Sequence, residues 1–359
     1  MARPNQAGLD LAALRHNLGH ARQLAPGSKL MAVVKANAYG HGALTIAREL
    51  EPRVDALAVA SIEEAVALRD GGIEAPVLLL QGVFEAVELA IAAQLNFWVI
   101  VESERQLRWL EQANLSRPLH CWLKLDTGMH RLGTGPELAR EYYHRLQACA
   151  NASSGVVLCT HFASADDLGS DQTRRQIEIF DRLCQALPGE RSAANSPGLL
   201  AWPQAHYDWV RPGYMLYGNS PFTADHPNAA ALQPVMTLSS AIISIREVAG
   251  GDTVGYGATW TAPRHSRIAT VTIGYGDGYP RLAANGTPVL IKGRRAPLAG
   301  RVSMDMITVD VTDLPEAQIG DEVVLWGRGL PVTEVARHAG TIGYELTTRM
   351  PARTPRIVL

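Results

Sequence analysis

Lys35 is the residue on which the chemistry of this 359-residue chain would turn. It follows an apolar run, residues 30–34, that reads as a buried strand. It precedes Tyr39, Gly40 and Gly42 in a glycine-punctuated loop. A lysine carried into a protein interior loses hydration and its pKa falls, which leaves an amine able to form Schiff bases with carbonyl compounds. Tyr39 adds a hydroxyl, and the glycines allow close approach of backbone to a ligand. Taken alone, such a lysine could equally snorkel to solvent beside a simple turn.

The elements around Lys35 sharpen the reading. After an opening helix over residues 9–24, short apolar runs at 30–34, 56–60, 77–80, 97–101, 119–125, 156–160, 191–194 and 207–210 alternate with helix-like segments. Ser61 with Glu64, and Ser103 with Gln106, have capping-box spacing at two helix starts. One helix face carries Ile177, Phe180, Cys184 and Leu187. Eight strand–helix units in this length, without a GxGxxG after the first strand, indicate an α/β fold of the (β/α)8 TIM-like barrel type. The C-terminal strand ends are the functional face of such a barrel. There stand Lys35, then Lys124 with Arg131 in the following loop, His161, Asn195-Ser196 and Arg211-Pro212-Gly213. Singly, these are a core histidine, a helix cap and a surface arginine. Together they offer amides and hydroxyls for a phosphate, a flat partner for a ring, a group for a pyridine nitrogen and an imine-forming amine, the needs of pyridoxal phosphate (PLP).

Near Gln233 the texture changes to strand-like runs at 235–248, 267–273, 289–291, 306–311 and 323–326, separated by glycine turns. We expect a barrel domain over 1–230 and a mostly β C-terminal domain over 231–359. The 33 basic and 35 acidic residues nearly balance, so no charge excess calls for nucleic acid or an anionic membrane. The first ten residues lack a secretory pattern and no apolar run reaches membrane-spanning length, so a soluble, cytoplasmic protein is expected. Cys121, Cys149, Cys159 and Cys184 show no metal-ligand spacing, and no metal is expected.

The strings "AVVKANAYGHG", "WLKLDTGMHRLG", "HFASAD", "NSPG", "DWVRPGYMLYG", "VGYGATW", "IGYGDGYPR" and "GRVSMDM" run in order from residue 32 to 306. They resemble the signatures of the alanine racemases, PLP enzymes of fold type III. The resemblance implies an isomerase that interconverts L- and D-alanine, serves D-alanine biosynthesis and works as a homodimer with active sites shared between subunits. Lys35 would carry PLP and act as one base, and Tyr256, from the second subunit, would act as the other. Arg211 would face the pyridine nitrogen and, with His161, form a hydrogen-bonded link that favours the Tyr256 phenolate. Tyr39, Ser196, Gly213, Tyr214 and Tyr344 would hold the phosphate. Arg131 and the Met304 amide would bind the substrate carboxylate. Lys124 matches a position carbamylated in many members, and Tyr275, Asp305 and Tyr344 match the substrate entrance.

A broad-specificity amino-acid racemase shares most of these features. A PLP-homeostasis protein shares the barrel and its lysine but lacks a C-terminal β domain. A PLP decarboxylase on the related fold pairs the pyridine nitrogen with a carboxylate and is longer, which Arg211 and the length of the chain argue against.

Overall fold

The computed structural model describes residues 3–359. Among them, eight parallel strands close into a barrel: Lys29–Val33, Ala56–Val59, Val77–Leu79, Phe97–Val101, Cys121–Lys124, Val157–Cys159, Arg191–Ser192 and Trp209–Val210. Successive side chains of a strand point to opposite faces. Met31, Val33, Ala56, Ala58, Leu78, Ile100, Trp122, Val157, Cys159 and Trp209 therefore form the inner core. Their neighbours, such as Leu30, Leu57 and Val99, meet the surrounding helices. Burial on both faces explains why these strands read as continuous apolar runs. Closure is direct: Met31 pairs opposite Ala56 on one side of the first strand, and Leu30 pairs opposite Val210 on the other. Trp98, Trp122 and Trp209 pack with centroids 5.5–6.4 Å apart toward the end of the barrel away from Lys35.

The expected helix faces are buried, including Ile177, Phe180 and Cys184 on Gln172–Cys184. The two capping boxes differ from expectation. Ser61 makes no side-chain cap bond, and Glu64 Oε2 instead accepts from the Ala60 amide at 2.8 Å. Ser103 accepts from Gln106 N, but Gln106 Oε1 reaches the amide of Glu102, one residue before the cap. In both cases the carboxylate or amide fastens the loop leaving the preceding strand.

The second domain is a sheet of eight strands among the described residues. Its long strand Met236–Val248 pairs antiparallel with Glu322–Trp326 and with Ser266–Val271, which in turn pairs with Ile307–Asp310. Pro288–Ile291 and Arg294–Pro297 extend one edge. The strand Gln6–Leu9 lies between Met236–Val248 and the C-terminal Arg356–Val358, so the start of the chain sits in the second sheet and the first helix begins at Leu11. Residues 6–9 thus depart from the expected grouping of 1–230 with the barrel. A hairpin of Thr253–Val254 and Trp260–Thr261 stands outside the main sheet. No helix among the described residues is long and apolar enough to cross a membrane.

Candidate active site

After the first barrel strand the backbone turns left-handed. Ala36, Asn37, Ala38 and Tyr39 have φ of 53°, 54°, 53° and 51°. For residues with a β-carbon this conformation costs roughly 1–2 kcal/mol each, because Cβ crowds the following carbonyl. Non-local bonds offset the cost. Glu64 Oε1 accepts from the Ala36 amide at 2.6 Å, and Asn37 Oδ1 accepts from the Ala43 amide at 2.8 Å. His41 Nδ1 donates to the carbonyls of Ala38 and Tyr39, each at 3.0 Å. Gly40 follows at φ 84°, where a Cβ would lie 1.8 Å from the Thr347 carbonyl oxygen of the second domain. The turn brings Lys35 and Tyr39 into one cavity of about 690 Å³ at the C-terminal mouth of the barrel.

The same cavity is lined by Lys124, Arg131, His161, Ser196, Arg211, Gly213, Tyr214 and Tyr344, so most of the residues expected from sequence converge. Burial, then the Arg131 charge, lowers the pKa of Lys35, while Glu64 opposes the shift. Lys124 is buried and lowered first by that burial, with Arg211 and Arg131 acting in the same direction. His161 is reached by the cavity surface yet enclosed by protein, and burial followed by the Arg211, Lys124 and Arg131 charges holds its pKa far below the usual imidazole range. It is neutral at physiological pH. Arg211 is held rigidly: Nη1 donates to Ser192 Oγ, and Nη2 donates to the carbonyls of Thr160 at 2.7 Å and Ala193 at 3.2 Å. The expected hydrogen-bonded link between His161 and Arg211 is not formed among the described residues. Three of the five Arg211 N–H donors go to oxygens at the strand ends, and His161 Nε2 instead faces Asn195 Nδ2 at 3.5 Å.

A phosphorylated, aldehyde-bearing cofactor fits this wall. The lining holds Lys35, Lys124, Arg105, Arg131 and Arg211 against the single carboxylate Glu102, an excess that calls for an anion. Ser196 Oγ accepts from the amides of Gly213 at 3.0 Å and Met215 at 3.2 Å, which leaves its own hydroxyl proton to offer. A Cβ at Gly213 would lie 2.5 Å from the Tyr39 hydroxyl, so the glycine keeps that approach open. Tyr214 stacks on Tyr344 of the second domain at 3.6 Å, and its buried hydroxyl has no partner among the described residues.

Four expected residues lie elsewhere. Tyr256 is 70% exposed at the tip of the outlying hairpin, while Tyr275 and Met304 are exposed and Asp305 half-buried on the second domain. The loops of the last three are zipped together, with Tyr275 N donating to Ser303 O at 3.0 Å and Gly276 N donating to Met304 O at 2.9 Å. Buried Asp277 pins them by accepting from Arg3 and pairing with Arg353, which also donates to Asp305. Sequence reasoning missed Glu102, which lines the cavity and accepts from the Gly133 amide, two residues after Arg131, at 3.2 Å. Its place directly after the fourth barrel strand was the available signal. Glu64 was read as a helix cap, and its bond to the residue after Lys35 has no sequence signature.

Comparisons with known proteins agree with this geometry. The family described as alanine racemase, N-terminal domain, matches residues 9–221, and that described as alanine racemase, C-terminal domain, matches residues 235–358. The catabolic alanine racemase of Pseudomonas putida is 53% identical over 354 residues, covering 99% of this chain and 98% of its own. The crystal structure of biosynthetic alanine racemase from Pseudomonas aeruginosa superposes with a TM-score of 0.96 at 49% identity, covering 99% of each chain. That of alanine racemase from Bartonella henselae, with covalently bound pyridoxal phosphate, superposes at 0.89 with 31% identity over 100% of each chain.

Proposed function

The chain belongs to the alanine racemase family, and from that membership we propose that Lys35 of one protomer and the partner's Tyr256 are the opposed acid–base groups of its active site. It is a PLP-dependent isomerase that interconverts L- and D-alanine. The match of both domains sets aside the barrel-only homeostasis reading.

Bound PLP would supply a ring that takes up the electron pair left when the alanine Cα loses its proton. Lys35 would hold the group through its amine and would also hold or remove a proton on one face of Cα. The lowered pKa of Lys35 suits a base working near neutral pH. Tyr256 works on the other face. A phenol titrates near pH 10 in water, and the cations at the barrel mouth are what would favour its phenolate. Arg211 keeps its proton and would donate to the pyridine nitrogen without protonating it. Ser196, Tyr39, Tyr344 and the backbone of Gly213 and Tyr214 hold the phosphate, while Arg131 and the partner's Met304 amide hold the substrate carboxylate. Lys124, whose pKa burial lowers, would as its neutral amine add CO2 and release a proton, and the resulting carbamate would place an anion beside Arg131. The partner's Tyr275 and Asp305, with Tyr344, narrow the entrance. The protein would be a cytoplasmic homodimer, with its folding units divided near residue 230 and the opening strand lent to the second.

One observation carries this reading: Tyr256 is 70% exposed on a hairpin of the second domain and does not line the cavity that holds Lys35, so it is free to enter another protomer's site. In deuterated water the wild type should wash deuterium into Cα of both enantiomers. Tyr256→Phe should lose exchange from L-alanine by roughly 100-fold or more and keep exchange from D-alanine. Equal losses on both enantiomers would sink the two-base assignment.

A further inference from the structure

We infer that Glu64 is a positioning residue for Lys35, its carboxylate clamping the left-handed turn so that the lysine amine is aimed into the cavity. Glu64 sits on the helix Ile62–Asp70, which follows the second barrel strand. Its two oxygens serve two different strand ends: Oε2 accepts from Ala60 N at 2.8 Å and Oε1 from Ala36 N at 2.6 Å. The second bond falls on the peptide that joins Lys35 to the first left-handed residue. Charge-assisted bonds of this length are about twice as strong as neutral ones, and these two tie together the ends of two neighbouring barrel strands.

Of the side-chain bonds holding the turn, this one stands nearest to Lys35. Asn37 and His41 fasten its middle and far end, the part that sets Tyr39. Loss of the Glu64 bond should therefore loosen the lysine and leave the phosphate cradle of Ser196, Gly213 and Tyr214, which stands on the seventh and eighth strands, intact. Besides the pull of its charge on the Lys35 ammonium, Glu64 acts on the site through the Ala36 and Ala60 amides of the backbone.

This inference rests on Lys35 being the cofactor-bearing residue. In the attachment step the Lys35 amine attacks the aldehyde carbon of PLP, the C=O bond is replaced by C=N, and water leaves. The test uses full-length protein stripped of cofactor, as wild type, Glu64→Gln and Glu64→Ala. Attachment is followed by the change in cofactor absorbance at its high-pH plateau, where Lys35 is neutral in every variant and the loss of the Glu64 charge does not enter. Affinity for pyridoxine 5′-phosphate, which has the phosphate and ring but no aldehyde, is measured in parallel. Glu64→Ala should slow attachment roughly 10–100-fold, the effect of misplacing a reacting group by about an ångström. Glu64→Gln, which keeps one acceptor oxygen, should fall between, and both should bind pyridoxine 5′-phosphate within about twofold of wild type. Attachment at the wild-type rate in both variants would overturn the inference, as would a parallel loss of pyridoxine 5′-phosphate binding, which marks general damage to the site. Should the alanine variant fail to fold, the glutamine variant decides. Failure of wild type itself to attach PLP would instead remove the function proposed for Lys35.

Discussion

His41 lies beneath the turn that carries Lys35, fully buried and stacked on Tyr217 with ring centroids 4.5 Å apart. Both of its bonds go from Nδ1 to carbonyls, so that nitrogen carries the proton, and buried Nε2 has no partner among the described residues. A second proton at Nε2 would be a buried, unpaired charge. Burial accordingly lowers the pKa from 6.5 to about 4. The unfolded chain takes up a proton below pH 6.5 that the folded chain refuses, so the folded state is penalised only as pH falls. Stability should be whole above pH 6.5 and decline toward pH 4, with His41 contributing a loss of roughly 3 kcal/mol by the lower limit. Denaturant unfolding of wild type and His41→Gln across this range isolates the contribution, because the other lowered histidines, His120, His161 and His206, are common to both proteins. A constant difference between the two curves would show that His41 does not titrate in this way.

At the scale of elements, the turn is also where the two domains meet. Gly40 and Gly72 both have positive φ, 84° and 85°, but only Gly40 is crowded: its Cβ would meet the Thr347 carbonyl at 1.8 Å, while nothing lies within 4 Å at Gly72. Gly72→Ala should cost only the left-handed penalty, about 1–2 kcal/mol. Gly40→Ala must also push the helix Gly343–Thr348 off the barrel and break the bond from Arg356 Nε to the Gly40 carbonyl, so its cost should exceed about 4 kcal/mol. Calorimetric unfolding of the pair checks this, and similar losses would mean that the interface yields easily. The same contrast shows what the sequence could disclose. Most of the eight barrel strands were legible as short apolar runs followed by polar residues, and Arg191–Ser192, which is polar, was placed by the regular spacing of the rest. The strand Gln6–Leu9 was not, because it is short and pairs with Met236–Val248, far along the chain, and Arg294–Pro297 was not, because it is a polar, largely exposed edge strand with no apolar run to mark it. The strand-end residues Lys35, Lys124, His161, Ser196 and Arg211 could be assembled by topology alone. The left-handed turn could not, since Ala-Asn-Ala-Tyr has no preference for it and Glu64, which holds it, was spoken for as a cap. Tyr256 was legible only through the family resemblance, because "GYG" by itself marks a turn.

At the scale of the whole molecule, the proposed catalytic pair is divided. Lys35 belongs to the barrel mouth, and Tyr256 projects from the second domain with 70% of its surface exposed. The exposed Met304 and Tyr275 share that domain, so one docking event would deliver the second base, the carboxylate-binding amide and the entrance together. In the proposed symmetric dimer there would be two such composite sites, each with a lysine from one subunit and a tyrosine from the other. This geometry distinguishes sharing from mere association. Co-expressing the variants Lys35→Ala and Tyr256→Phe with different affinity tags yields mixed dimers in which one site carries both defects and the other carries neither. Each parent homodimer should be nearly inactive in racemisation, while the purified mixed dimer should recover about half the wild-type activity, the share of one intact site in two. A mixed dimer as inactive as its parents would place Lys35 and Tyr256 in the same protomer's site, and the exposed hairpin would then need to fold back over its own barrel.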